Sequence, residues 1–216
     1  MNVLLSSYDF HEKWAQGAMK PLLNEKMKVV VIPFSFDKKE VKTIEDYDFH
    51  YGSHGKHVPY ILRPFYYYGI KDIDFVDYFR DDLITAQKKV LAADIIFLTG
   101  GLPDQYLERL QEFKLDSTIK ASNALIIGAS AGAMIQFDNY HITPDDDYFE
   151  YQYQNGLGLV GGFEIEVHYC HSQIQDAGIA RVIEEKGLPT YTIANDGGLF
   201  VDKGIIKTFG NAYLVK

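Results

Sequence analysis

The sequence predicts an α/β fold: one mostly parallel sheet with helices on both faces, in a single domain over residues 1–216. Three observations carry that reading. Short apolar runs alternate with amphipathic stretches, as repeated strand–helix units require. Runs such as Val29-Val30-Val31-Ile32 and Ile95-Ile96-Phe97-Leu98 are apolar at every position, which suits strands covered above and below. No repeat, linker or low-complexity tract divides the chain.

In order along the chain, the pattern predicts strands over residues 2–6, 27–33, 73–76, 94–99 and 125–128. Helical patterns fall over 11–24, 81–92 and 103–113, the last opening on Pro103, whose ring presets the first helical turn. After residue 130 the texture changes. Residues 163–169 alternate as a half-exposed strand does, and 176–185 read as a helix. Residues 191–194, 199–202 and 204–208 then read as short strands joined by glycine-containing turns, with Asp196 of Asn-Asp-Gly-Gly a hairpin residue. Residues 46–69 carry His50, His54 and His57 with six tyrosines and little periodicity, and read as a polar surface loop. The histidine spacing matches no common ligand set, and no cysteine or clear carboxylate partner completes one, so no metal is expected.

A net charge of −9 and a pI near 5.2 argue against nucleic acid or an anionic membrane as the partner. No apolar run approaches the roughly 18 to 20 residues that cross a bilayer, and the first residues read as a strand, not a leader. The one cysteine, Cys170, rules out an intramolecular disulfide and fits a reducing compartment, so a cytoplasmic protein is expected. With no elbow around it, Cys170 reads as a buried strand-end residue.

The chemistry is concentrated in Gly128-Ala-Ser130-Ala-Gly132, which joins an apolar strand to a helical stretch. This is G-x-S-x-G in the strand–turn–helix setting of a nucleophile elbow. A turn that sharp leaves no room for side chains beside the serine, hence Gly and Ala around it. The N–H of Ala131, at the helix start, would face a developing oxyanion. A second strand ends in Thr99-Gly100-Gly101, and an N–H of Gly100 or Gly101 would supply the other donor, each worth roughly 3 kcal/mol. The plain alternative for both turns is close packing or an anion site.

A serine nucleophile needs a base, usually a histidine braced by a carboxylate. Downstream of Ser130 stand His141, His168 and His171. His168 is the candidate, because it closes a strand at the end of the sheet where α/β active sites gather. Asp145, Asp146 and Asp147 lie between serine and histidine and allow the order Ser…Asp…His, with Glu164 and Glu166 further options.

The Gly-Ala-Ser130-Ala-Gly-Ala motif, the upstream Thr-Gly100-Gly101 turn and His168 closing a later strand resemble the dipeptidase E and cyanophycinase family of serine peptidases. The resemblance extends over most of the chain. It implies a fold like class I glutamine amidotransferase domains with serine in place of their cysteine; separately, neither a metal nor an organic cofactor is expected. It puts the catalytic serine and histidine on Ser130 and His168, the acid on or near Asp145, and the oxyanion donors on Gly101 and Ala131. Two positions depart. Dipeptidase E carries Gly-Gly-Gly-Asn-Thr where this chain has Gly100-Gly101-Leu102-Pro103-Asp104. Its substrate-binding arginine after the histidine is missing, with Asp176 near the expected place and no arginine before Arg181. Hydrolysis of short peptides through an acyl-enzyme is therefore expected, without strict preference for an N-terminal aspartate. The competing readings are an esterase or amidase on small acyl compounds and a noncatalytic protein binding a small anion.

Overall fold

The computed structural model describes residues 1–215. The chain begins with β1 (Asn2–Leu5), α1 (Lys13–Met19), β2 (Lys28–Ile32), α2 (Ile44–Tyr51), α3 (Val58–Tyr67) and β3 (Asp72–Phe75). It continues through α4 (Leu83–Leu91), β4 (Ile95–Leu98), α5 (Tyr106–Glu112), α6 (Leu115–Ala121), β5 (Leu125–Ala129) and the one-turn α7 (Ala131–Met134). The last third holds β6 (Asn139–Ile142), β7 (Gln152–Asn155), β8 (Glu164–Val167), α8 (Gln173–Lys186), β9 (Thr190–Asp202) and β10 (Ile205–Val215).

The main sheet runs β10-β9-β1-β5-β4-β2-β3, and its five strands from β1 to β3 are mutually parallel. Successive residues of these strands serve opposite faces, as a two-residue period demands. Val29, Val31, Ile95 and Phe97 pack with Phe10, Met19, Ile61 and Phe65 from the α1 and α3 side. Val30, Ile32, Ile96 and Leu98 pack with Val90, Leu110 and Ile119 from α4, α5 and α6. Both faces are covered, which is why these strands read as unbroken apolar runs.

The geometry of β9 positions the site. One edge of β9 is paired with β10 on both sides of an irregularity at residues 194–196, while the other edge is shared. Its first residues run parallel to β8, with Val167 opposite Ile193, and its later ones run antiparallel to β1, with Leu5 opposite Gly198. The ends of β1 and β8 therefore converge on residues 194–197 of β9.

Three expectations are corrected here. Residues 191–194 and 199–202 belong to one strand, because Gly197 and Gly198 pair with Gly210 and Phe209 of β10 and the register shifts at residues 194–196 without ending the strand. Residues 46–69 are mostly helical. Thr43 and Asp46 form a reciprocal capping box that starts α2, and Pro59 sits in the first turn of α3, whose buried Ile61 and Phe65 make it part of the core. A hairpin of β6 and β7 stands apart from the main sheet and was not expected. Among the described residues no helix is long and apolar enough to cross a membrane.

Candidate active site

Ser130 stands between β5 and α7 with φ 53° and ψ −118°, outside the ordinary regions for a residue with a side chain. Such a conformation costs about 1–3 kcal/mol and persists only where its surroundings enforce it. They do so here by contact. A Cβ on Gly128 would strike the carbonyl of Gly132, and one on Gly132 would strike the carbonyl of Leu98 in β4. The Ser130 N–H donates to the Leu5 carbonyl at 2.8 Å, tying the bend to the end of β1.

The neighbouring turn supplies hydrogen-bond donors. The Gly100 N–H is already engaged, donating to the Tyr8 hydroxyl at 2.7 Å. Burial raises the Tyr8 pKa and keeps the phenol neutral, so it can accept this bond. The Gly101 N–H has no hydrogen-bond partner among the described residues. Gly101 has φ +142°, and a Cβ there would collide with the Ser35 carbonyl. That carbonyl accepts from Leu102 N at 2.7 Å, and the Ser35 hydroxyl donates to Gly100 O at 2.7 Å. Behind Ser35, the buried Arg109 guanidinium donates to the carbonyls of Phe34 at 2.6 Å and Phe36 at 2.7 Å. Ala131 is the first helical residue, and its N–H has no intrahelical acceptor. Among the described residues Gly101 and Ala131 thus offer open backbone donors beside Ser130.

His168 follows β8 directly and also has positive φ, 53°. Its N–H donates to the Ser6 hydroxyl at 3.0 Å, and that hydroxyl donates to Ile193 O at 2.7 Å. Its ring Nδ1 lies 2.6 Å from Asn195 Oδ1. An amide oxygen accepts, so Nδ1 carries the proton and Nε2 is left as the free base. The Ser7 hydroxyl donates to Asn195 O at 2.7 Å. Ser130, His168 and Asn195 line one open cavity of about 430 Å³ together with Gly100 and Gly101. No hydrogen bond joins Ser130 to His168 among the described residues; such bonds often tighten only with substrate bound.

The partner of His168 is the main correction to the sequence reading. Asp145 does not hold its ring. One oxygen of Asp145 accepts from Asp147 N at 2.9 Å and Tyr148 N at 2.8 Å, closing a turn in an exposed loop. Asp146 and Asp147 are exposed in the same loop. Glu164 and Glu166 face His141 instead, with Oε2 of each 3.1 Å and 3.0 Å from its two ring nitrogens. Burial pushes the His141 pKa down, but the two carboxylates outweigh it and leave the imidazole raised. His141 is therefore a buried structural residue, with both ring nitrogens held by carboxylates. His171 is exposed and packs on Tyr169, and Cys170 is exposed, not buried. Sequence reasoning missed Asn195, Ser6, Ser7 and Tyr8. The available signal was Ser-Ser-Tyr at the end of a first strand, where a parallel sheet presents its site. Among the described residues no group of three or more His, Cys, Asp or Glu is arranged to hold a metal ion.

The sequence matches the model of peptidase family S51 over residues 9–208. The structure is similar to a candidate peptidase E protein from Listeria monocytogenes EGD-e, with TM-score 0.68 and 22% identity, covering 96% of each chain. It is also similar to a peptidase from an acI-B1 actinobacterium, with TM-score 0.69 and 16% identity, covering 100% of this chain and 90% of that one. Among curated proteins none matches. The chain belongs to peptidase family S51, the dipeptidase E family, and is a serine-type peptidase.

Proposed function

We propose that Ser130 is the nucleophile, His168 the general base and acid, Asn195 the residue that orients His168, and Gly101 and Ala131 the oxyanion donors. The observation that carries this is the pairing of a positive-φ serine at a glycine-flanked bend with a histidine on the same cavity. In the reaction, His168 Nε2 takes the Ser130 proton as Oγ bonds to the peptide carbonyl carbon. The oxyanion rests on the two N–H groups, at about 3 kcal/mol per donor. The imidazolium then protonates the leaving amine as the C–N bond breaks. Water attacks the acyl-enzyme, gives its proton to Nε2, and frees the carboxylic acid and Ser130. Asn195 holds the productive tautomer without a full negative charge, a role an amide also fills in Cys-His-Asn proteases.

The substrate class we assign is short peptides. The net charge of −9 speaks against nucleic acid and anionic membranes as partners, and the exposed free Cys170 suits the cytoplasm. With this mechanism goes kinship to class I glutamine amidotransferase domains, serine standing where they have cysteine. The test is turnover of an unblocked di- and tripeptide library set against p-nitrophenyl esters. Peptide hydrolysis that falls at least a thousandfold in Ser130→Ala is expected. Turnover of esters alone, or an active Ser130→Ala, would sink the proposal.

A further inference from the structure

A second cavity, of about 350 Å³, also borders Ser130 and His168, and its lining has a definite charge. Three carboxylates line it, Asp145, Asp147 and Glu166, and no lysine or arginine does. His141 also borders it, but its two ring nitrogens are engaged by Glu164 and Glu166, while Lys186 Nζ sits on Glu164 Oε1 at 2.6 Å. Among the described residues no salt bridge joins Asp145 or Asp147 to a basic side chain.

Glu166 gives the cavity a specific acceptor. Its side chain is only 7% exposed, and Oε2 is satisfied by His141 and by the Thr143 hydroxyl at 2.8 Å. Its Oε1 accepts no hydrogen bond from the described residues, and it is not among the sealed atoms that lack a partner, so it opens to the cavity. A carboxylate oxygen held there calls for an N–H donor, best a charged one. Met134, Ile165 and Ile174 on the same walls offer apolar cover for a methylene stem that carries its charge at the tip.

We propose that this cavity is a subsite for a cationic side chain, so that the preferred short peptides carry lysine or arginine next to the scissile bond. The proposal rests on Ser130 being the nucleophile, and it names the substrate class of that site. An aspartyl or glutamyl side chain would meet three carboxylates there and is disfavoured.

Binding and chemistry are tested separately. Calorimetry on Ser130→Ala uses matched pairs, Lys-Ala against norleucine-Ala, Ala-Lys against Ala-norleucine, and arginine against citrulline, each with and without Nα-acetylation. Lysine in at least one position is expected to bind about tenfold or more tighter than norleucine, with acetylation leaving that ratio in place. Asp147→Asn, at an exposed position, and Glu166→Gln should each bring the ratio towards one. Equal affinity for lysine and norleucine overturns the subsite. So does tighter binding of Asp-Ala, or a preference that acetylation alone abolishes, which would assign the cavity to the α-ammonium. Fluorophosphonate labelling of the wild type is scored independently. Labelling without a lysine preference sinks the subsite alone, whereas a lysine preference without labelling supports the subsite and sinks the serine mechanism.

Discussion

If Asn195 orients His168, changing it should move both rate and pH profile by amounts the geometry bounds. The bond is short, 2.6 Å, but both residues are exposed, so solvent screens whatever charge is added. Removing a neutral hydrogen bond costs about 0.5–1.5 kcal/mol, so Asn195→Ala should lower kcat/KM by about 2- to 10-fold. Asn195→Asp keeps the acceptor and adds a negative charge beside the imidazolium of the transition state. An exposed ion pair is worth up to about 1 kcal/mol, which sets a gain of up to about fivefold. The same carboxylate favours the charged imidazole, so the acidic limb of the kcat/KM profile should move to higher pH in Asn195→Asp. The assay is steady-state hydrolysis of one peptide from pH 5 to 9 for the wild type and both variants. The reasoning fails if Asn195→Ala matches the wild type throughout, or if Asp145→Asn costs tenfold where Asn195→Ala costs nothing.

Three further outcomes are expected. Gly132→Ala forces a methyl group into the Leu98 carbonyl, and urea unfolding should show a loss of about 1–3 kcal/mol or more. Arg109→Met leaves the buried carbonyls of Phe34 and Phe36 without their donor at about 1–3 kcal/mol each, and should lower both the melting temperature and kcat, because those residues flank the Ser35 support of Gly101. His141, raised in the folded state by Glu164 and Glu166, gives a pH signature. Its stabilisation is complete below the unfolded value of about 6.5 and fades as pH climbs through the higher folded value. Urea midpoints between pH 6 and 9 should therefore fall more steeply for the wild type than for His141→Gln.

The parallel half of the fold was legible because each of its central strands is apolar on both faces, a pattern that only a covered sheet tolerates. Ser130 was legible because glycine at 128 and 132 is a steric requirement that shows in the sequence itself. Asn195 was not, for a reason that lies in β9. Asn-Asp-Gly-Gly has the composition of a hairpin, but pairing on either side of it, with β8 before and with β1 and β10 after, keeps it within one strand and brings Asn195 beside His168. The chain order Ser…Asp…His then drew attention to Asp145, whose carboxylate is occupied with its own turn. Residues 46–69 hid two helices because aromatic side chains stand on both the buried and the exposed faces, with Phe65 buried and Tyr60, Tyr66 and Tyr67 exposed, which blurs the helical period.

The most direct test of the enzyme reading is the position of a covalent adduct. After treatment with a fluorophosphonate, intact-mass and peptide mass spectrometry should find one phosphonyl group, on Ser130, formed much more slowly in His168→Ala and absent in Ser130→Ala. An unmodified wild type, or an adduct that forms equally well without Ser130, would contradict the assignment of that serine.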